Sequence, residues 1–343
     1  MGIKVGLIGY GVGGRQFHAP YLRASEGCEL VGIVTSSLDR ARLAAEENPG
    51  ARVFARYDEL VAAGVDAVVV STPPHTRRQL VLDAFGDGLH VMADKPFAPS
   101  AEVGRELADA ADRAGVLLNV YHNRRYDTDI VTARSVAASG ALGELRRLEL
   151  RCDQDDPGIV QTGPDGGLLR DLGSHVVDQA LLLLGPARAV TAWLHITQTP
   201  DGPVDTGFVL TIAHHSGAHS HISSTKLARL TSRELRLIGT DGSYRSDYSD
   251  VQYEAILAGT EPAAGRDRWG FETPDRWGTL ATADGEKIVP SLQGDYTRLY
   301  DEFSAAVSSG GPGPVPAAQA VAVLEVLDAA RRSATQEQTV PVP

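Results

Sequence analysis

The first 120 residues alternate short apolar runs with longer stretches of mixed polarity. Residues 4–9, 29–35, 67–71, 90–93 and 116–120 read as strands, with a shorter one at Val53-Phe54. Residues 13–24, 38–47, 58–63, 76–85 and 100–114 read as the intervening helices. The run Ala67-Val68-Val69-Val70-Ser71 is apolar almost throughout, which suits a strand buried on both faces of a parallel sheet. Repeated βα units of this length predict a doubly wound parallel sheet, an α/β architecture.

The pattern changes after residue 120. Residues 127–138 predict a helix and 143–152 a strand of alternating character. A stretch containing Gly163, Gly166 and Gly167 leads into a helix over 168–184, stopped by Gly185-Pro186. Strand-like runs follow at 190–198, 207–215, 219–225, 234–239 and 243–248, with turn signals at Ser216-Gly217 and Asp241-Gly242. Consecutive hairpins predict an α+β domain with a mostly antiparallel open sheet. Helices over 295–308 and 317–332 close the chain, around a Gly/Pro loop at 310–316. The expected division is 1–120 and 121–343, with helix 317–332 returning to pack on the first domain.

Composition narrows the function. The 343 residues are ample for two domains, and 43% apolar with 22% charged residues is an ordinary globular balance. No apolar run approaches the ~20 residues of a membrane span. Residues 1–9 read as a strand running into a glycine loop rather than as a signal peptide, so a cytoplasmic location is expected. A net charge of −12 with no basic stripe argues against a nucleic-acid partner. Cys28 and Cys152 stand far apart without neighbouring ligands and imply neither a disulfide framework nor a zinc site.

The run Gly9-Tyr10-Gly11-Val12-Gly13-Gly14 fits G-x-G-x-x-G between a predicted strand and a predicted helix. Gly9 permits the tight turn, Gly11 lets the backbone approach a pyrophosphate, and Gly14 allows close helix–strand packing. The helix N-terminus offers N–H groups to the phosphates. Residues 9–14 are therefore expected to bind a dinucleotide. At the end of the second strand, dinucleotide binders usually carry an acid for the ribose 2′-hydroxyl of NAD. Here Thr35, Ser36 and Ser37 stand instead, followed by Arg40. Small hydroxyls leave room for a 2′-phosphate and Arg40 can pair with it, which favours NADP. Asp39, a few residues late, keeps NAD open, and Ser37 also reads as a helix N-cap.

Further motifs follow in order: Phe17-His18-Ala19-Pro20, Ser71-Thr72-Pro73-Pro74-His75, Asp94-Lys95-Pro96-Phe97, residues 121–127 (Tyr-His-Asn-Arg-Arg-Tyr-Asp), and the helix from Asp171 through His175 to Asp178. Over nearly the whole chain the set resembles the glucose–fructose oxidoreductase/inositol dehydrogenase/MocA (Gfo/Idh/MocA) family, and most closely its NADP-dependent scyllo-inositol dehydrogenase branch. The resemblance implies an N-terminal Rossmann domain and a C-terminal domain whose open sheet mediates homodimers or homotetramers. It also implies a catalytic lysine, Lys95, here preceded by Asp94 where the family has glutamate. The helix motif of the family carries an aspartate and a histidine, matched by Asp171 and His175.

The residues support that chemistry on their own terms. Oxidising a secondary alcohol needs a hydride acceptor, a base and a group that stabilises the developing alkoxide. Lys95 lies just past the C-terminal end of a parallel strand, where ligands bind, and Pro96 fixes its turn. Asp171, His175 and Asp178 fall at i, i+4 and i+7, one face of a helix. Histidine suits a base near neutrality, and Asp171 can orient it or bind a substrate hydroxyl. The alternative is a capping Asp171 and a structural His175. Asp178 reads equally as a supporting or a solvated carboxylate. Thr72, Pro73 and His75 are expected to line the cofactor cleft with Asp94 and Pro96. Asn123 and Arg124 are expected to flank the nicotinamide or substrate. Asp153 is a further candidate for polyol contacts, with an ordinary acidic loop as the alternative. His214, His215, His219 and His221 straddle a turn but lack acidic or sulfur partners, so they read as an exposed hairpin and no metal is expected.

The chain is thus expected to be an NAD(P)-dependent oxidoreductase acting on a cyclitol or sugar, without nucleic-acid or membrane partners. A keto-sugar reductase and a non-catalytic NAD(P)-sensing protein share the fold and stay open.

Overall fold

The computed structural model describes residues 2–160, 162, 166–247 and 249–343. Gly163 and Tyr248 lie outside the described residues. The chain forms two units. One runs up to Asn123 and adds Gln252–Trp269 and Asp295–Val321; the other comprises Arg124–Val251, Gly270–Gly294 and Ala322–Pro343.

In the first unit the elements run β1 (Ile3–Ile8), α1 (Ala19–Ala24), β2 (Cys28–Val34), α2 (Leu38–Glu47), β3 (Arg52–Phe54), α3 (Tyr57–Ala62), β4 (Ala67–Val70), α4 (Pro74–Gly86), β5 (His90–Ala93), α5 (Ala101–Ala114) and β6 (Leu118–Val120). Six parallel strands lie in the order β3-β2-β1-β4-β5-β6. Val5, Leu7 and all of β4 are buried, as the unbroken apolar runs require. Register makes the strands end together: Val34, Ile8, Val70, Ala93 and Val120 are successive partners across the sheet. The next residue of each strand therefore stands in one row, Thr35, Gly9, Ser71, Asp94 and Tyr121. This is the carboxyl edge at which open α/β sheets bind ligands.

The helix expected over 13–24 begins differently. Gly13–His18 is a turn of π-helix, in which the Ala19 N–H reaches the Gly14 carbonyl, and α1 follows it. Such turns carry one residue more than an α-turn.

The second unit contains α6 (Thr128–Ala138), β7 (Leu145–Asp155), α7 (Leu168–Leu184), β8 (Ala187–Thr199), β9 (Gly202–His214), β10 (His219–Thr225), β11 (Leu227–Gly239) and β12 (Gly242–Ser246). It adds β13 (Gly278–Thr282), β14 (Gly285–Val289) and β15 (Val340–Pro341), whereas α8 (Val251–Leu257), but for its first residue, and α9 (Thr297–Ser309) belong to the first unit, and α10 (Ala317–Gln336) starts in the first and ends in the second. Nine strands form one sheet in the order β14-β13-β12-β11-β7-β10-β9-β8-β15. It is antiparallel except for β7 and β10, because α7 carries the chain across the sheet between β7 and β8. Leu148, Leu150, Leu210, Ile212 and Ile222 form the inner face, against which α7 buries Leu169, Val176, Val177 and Ala180. β13 and β14 were not legible, since Gly278–Val289 mixes polar, apolar and glycine residues without a sustained alternation and β14 is mostly exposed.

Candidate active site

The glycine loop fits a dinucleotide for two different reasons. Gly9 has φ +102°, and a Cβ there would lie 2.3 Å from the Ser71 carbonyl oxygen. A Cβ at Gly14 would lie 2.0 Å from the Gly9 carbonyl oxygen. The protein's own packing demands these two glycines. At Gly11 the nearest atom to such a Cβ is the Arg40 Nη1, at 3.9 Å, so the backbone there is open to an approaching pyrophosphate. Val12 is exposed beside it. The Tyr10 side chain instead turns inward: its hydroxyl donates to Glu47 at 2.7 Å and accepts from Asn48 at 2.7 Å. Only its backbone faces the loop's task.

Beyond β2, Ser37 caps α2 by accepting from the Arg40 N–H at 3.4 Å. Thr35 is half-buried and Ser36 exposed. Asp39 points outward and pairs with Arg42 at 3.7 Å. The Arg40 guanidinium, next to Gly11, makes no ion pair among the described residues.

The turn after β5 holds Asp94 and Lys95 and contains a cis Lys95–Pro96 bond. Asp94 Oδ1 accepts the Lys95 N–H at 2.8 Å, and Oδ2 accepts from the Ser71 hydroxyl at 3.0 Å. Oδ2 also lies 3.5 Å from His18 Nε2 and 3.6 Å from Arg77 Nη2. Burial opposes ionisation of this carboxyl. The His18 imidazole at 3.5 Å and the cationic field of Arg77 and Lys95 outweigh it and hold the group well below the usual carboxylate range. Arg77, buried in α4, donates to the carbonyls of Thr72 (2.7 Å), Asp94 (2.9 Å) and Pro96 (2.6 Å). The turns after β4 and β5 are so joined by one guanidinium. Thr72 also accepts from Thr76, Pro73 precedes α4, and His75 is exposed.

In the second unit Asp171 lies in the first turn of α7, where the helix end favours negative charge. Its Oδ2 is 3.1 Å from Nζ of Lys226, a lysine only 4% exposed. His175 follows one turn later and is buried. Asp178 is not solvated: Arg125 closes on it with Nε and Nη2 at 2.6–3.1 Å, and both side chains are buried. Asp205 caps α7 by accepting the Leu169 N–H at 2.6 Å. Arg124 is held by Asp127 at 3.0 Å and Asp250 at 2.8 Å. Asp153 is half-buried at the end of β7, opposite Thr225. Burial holds its carboxyl above the usual range although Arg151 opposes this. Asn123, which ends the N-terminal segment of the first unit, is buried.

The histidines do not form one exposed hairpin. His214 is buried, with Nδ1 2.7 Å from the Gly185 carbonyl and Nε2 2.7 Å from the Ser220 hydroxyl. His219 and His221 point to the opposite face. Among the described residues no group of three His, Cys, Asp or Glu side chains is placed to hold a metal.

Sequence reasoning missed Ser71, Arg77, Asp205 and Lys226. Lys226 had a signal: Ser220, Ile222 and Ser224 face inward, and position 226 continues the alternation. Arg77 had none, because its acceptors are backbone carbonyls of two separate turns.

A six-stranded parallel sheet with this glycine turn defines a dinucleotide-binding domain. The family model for oxidoreductases with an NAD-binding Rossmann fold matches residues 3–122, and that for the GFO/IDH/MocA C-terminal domain matches 130–245. The chain belongs to the Gfo/Idh/MocA family of NAD(P)-dependent dehydrogenases. It is 30% identical to scyllo-inositol 2-dehydrogenase (NADP+) IolW of Bacillus subtilis, over 98% of this chain and 95% of that protein. It is 28% identical to 1,5-anhydro-D-fructose reductase of Ensifer adhaerens, covering 90% and 88% of the two chains. The solved structure of oxidoreductase YvaA from Bacillus subtilis superposes with a TM-score of 0.92 at 30% identity, covering 100% and 99%. No helix among the described residues is long and apolar enough to cross a membrane.

Proposed function

We propose that this chain is an NADP-dependent dehydrogenase of a cyclitol or sugar secondary alcohol, similar in task to scyllo-inositol dehydrogenase. The observation that carries the NADP reading is the Arg40 guanidinium beside Gly11, next to hydroxyls at Thr35, Ser36 and Ser37 where an acid would serve NAD. A bound nicotinamide supplies the hydride acceptor. Lys95 stabilises the alkoxide and relays its proton; Asp94 anchors that turn. His175 acts as base, oriented by Asp171. Asn123 and Asp153 hydrogen-bond substrate hydroxyls, while Thr72, Pro73, His75, Pro96 and Arg124 serve the cofactor. The first 120 residues bind coenzyme, and the rest bind substrate and form homodimers or homotetramers through the nine-stranded sheet.

Initial rates with NADP and NAD against scyllo-inositol, myo-inositol and common aldoses test this. NADP-linked turnover is expected, with Lys95→Ala abolishing it. Arg40→Ala should raise the NADP KM roughly 10- to 100-fold, the scale of a lost hydrogen bond to a charged group, and leave NAD kinetics nearly unchanged. No turnover anywhere, full activity in Lys95→Ala, or a clear NAD preference overturns the reading. Similarity to the anhydrofructose reductase supports a second reading, keto-sugar reduction, which NADPH oxidation by 1,5-anhydro-D-fructose would reveal.

A further inference from the structure

His18 lies at the end of the π-turn and is fully buried. Its Nδ1 is 2.5 Å from the Tyr300 hydroxyl, and Nε2 faces Asp94 Oδ2 at 3.5 Å. The ring lies against Tyr121, with centroids 4.2 Å apart. Tyr300 is buried too, and burial together with the Asp94 charge pushes its phenol well above the ordinary value. The phenol keeps its proton and can donate it to Nδ1 across this contact. With that donor the imidazole proton sits on Nε2, which faces the Asp94 carboxylate. The same carboxylate accepts the Lys95 N–H through its other oxygen. A Cβ at Gly13 would lie 2.6 Å from the Ser71 hydroxyl and 3.1 Å from Asp94 Oδ2, so the loop backbone closes over this group.

We infer that Tyr300 and His18 form a buried strut that fixes the Asp94 carboxylate, making His18 a positioning residue for Lys95. His18 meets the Asp94 carboxylate from the glycine-loop side. The inference rests on the reading of Lys95 as the proton-handling group. As a positioning residue for Lys95, His18 should show its loss in kcat more than in coenzyme affinity.

Two measurements on the full-length enzyme test this. In the NADP-loaded protein labelled with 15N-histidine, long-range proton–nitrogen spectra should show the His18 proton on Nε2, assigned by its disappearance in His18→Gln. A proton on Nδ1 alone overturns the strut. In kinetics, His18→Leu should lower kcat roughly 10- to 100-fold, as expected for one lost bond to a charged group, with the NADPH dissociation constant held within about twofold. His18→Gln, whose amide can donate to Asp94 and accept from Tyr300, should recover most of that loss. Unchanged kcat in a folded His18→Leu protein overturns the inference. So does a joint fall of kcat and NADPH affinity, or a folded Gln variant as poor as Leu. If the wild-type enzyme turns over no polyol, the assigned reaction fails, and the tautomer measurement still decides the strut.

Discussion

Arg125→Met tests how α7 is held. Arg125 places Nε and Nη2 within 2.6–3.1 Å of both Asp178 oxygens, and the two side chains are 9% and 2% exposed. Asp178 stands three residues after His175 on the same helix. Removing the guanidinium leaves a buried carboxylate without its closest cation, a change that costs about 3–5 kcal/mol. At about 2–4 °C per kcal/mol for a unit of this size, the transition that melts α7 should fall by about 6–20 °C. Calorimetry read alongside far-ultraviolet circular dichroism measures it. Replacing both partners by apolar groups, Arg125→Met with Asp178→Leu, should restore at least half of the loss, because a matched apolar pair avoids the desolvation that the ion pair bears. A single variant melting within about 2 °C of wild type would refute the reasoning. A double variant less stable than the sum of its singles would do the same.

Two further outcomes are expected. Lys226→Met should lower kcat/KM roughly 10- to 100-fold while moving stability by no more than about 1 kcal/mol, since Asp171 is 29% exposed and water can replace the ammonium; a purely additive double variant with Asp171→Asn would show that the two do not act together. Asp94 and Asp129 should respond to pH with opposite signs. Asp94 is held below the ordinary value, so its stabilisation is present above about pH 4 and lost as pH falls through that value and below. Asp94→Asn should therefore melt lower than wild type at neutral pH and converge with it in acid. Asp129 is buried, and burial, with Asp127 and Glu272 adding to it, pushes its carboxyl well above the ordinary value. The native state there binds the extra proton, so stability falls as pH rises from about 4, and Asp129→Asn should gain most at high pH. Melting curves across pH check both; matching signs would disprove the assignment.

Much of the first unit was legible because its information is local. An apolar strand, a glycine and a helix start lie within one dozen residues, and the common register of β1, β2, β4, β5 and β6 turns five such junctions into one edge. Asp94 and Lys95 could be read from their place after β5. What holds Asp94 could not, because Ser71, Arg77 and His18 come from three other segments. In the second unit β7 to β12 were found from alternation and turn signals, but β13 to β15 were not, and nor was the parallel contact of β7 with β10, since hairpin signals say nothing about a strand that returns across a helix. Asp178 looked undecided for a related reason: helical spacing gives its face, and only the tertiary fold supplies Arg125.

The π-turn at Gly13–His18 has a consequence for which sequence changes the chain can accept. Each residue of a helix advances about 100° around the axis. From Gly14 to Ala19 the π-turn spends five residue steps on the one turn that an α-helix makes in four. Deleting one exposed residue there, such as Arg15, would make the bond from the Ala19 N–H to the Gly14 carbonyl an ordinary α-turn and leave α1 nearly in phase with the glycine loop. The same deletion inside α1 has no extra residue to remove and would rotate everything beyond it by about 100°. Arg15, exposed and paired with Glu47, should therefore accept loss as well as replacement. Changes of length are absorbed at this turn and not in the helix that follows it.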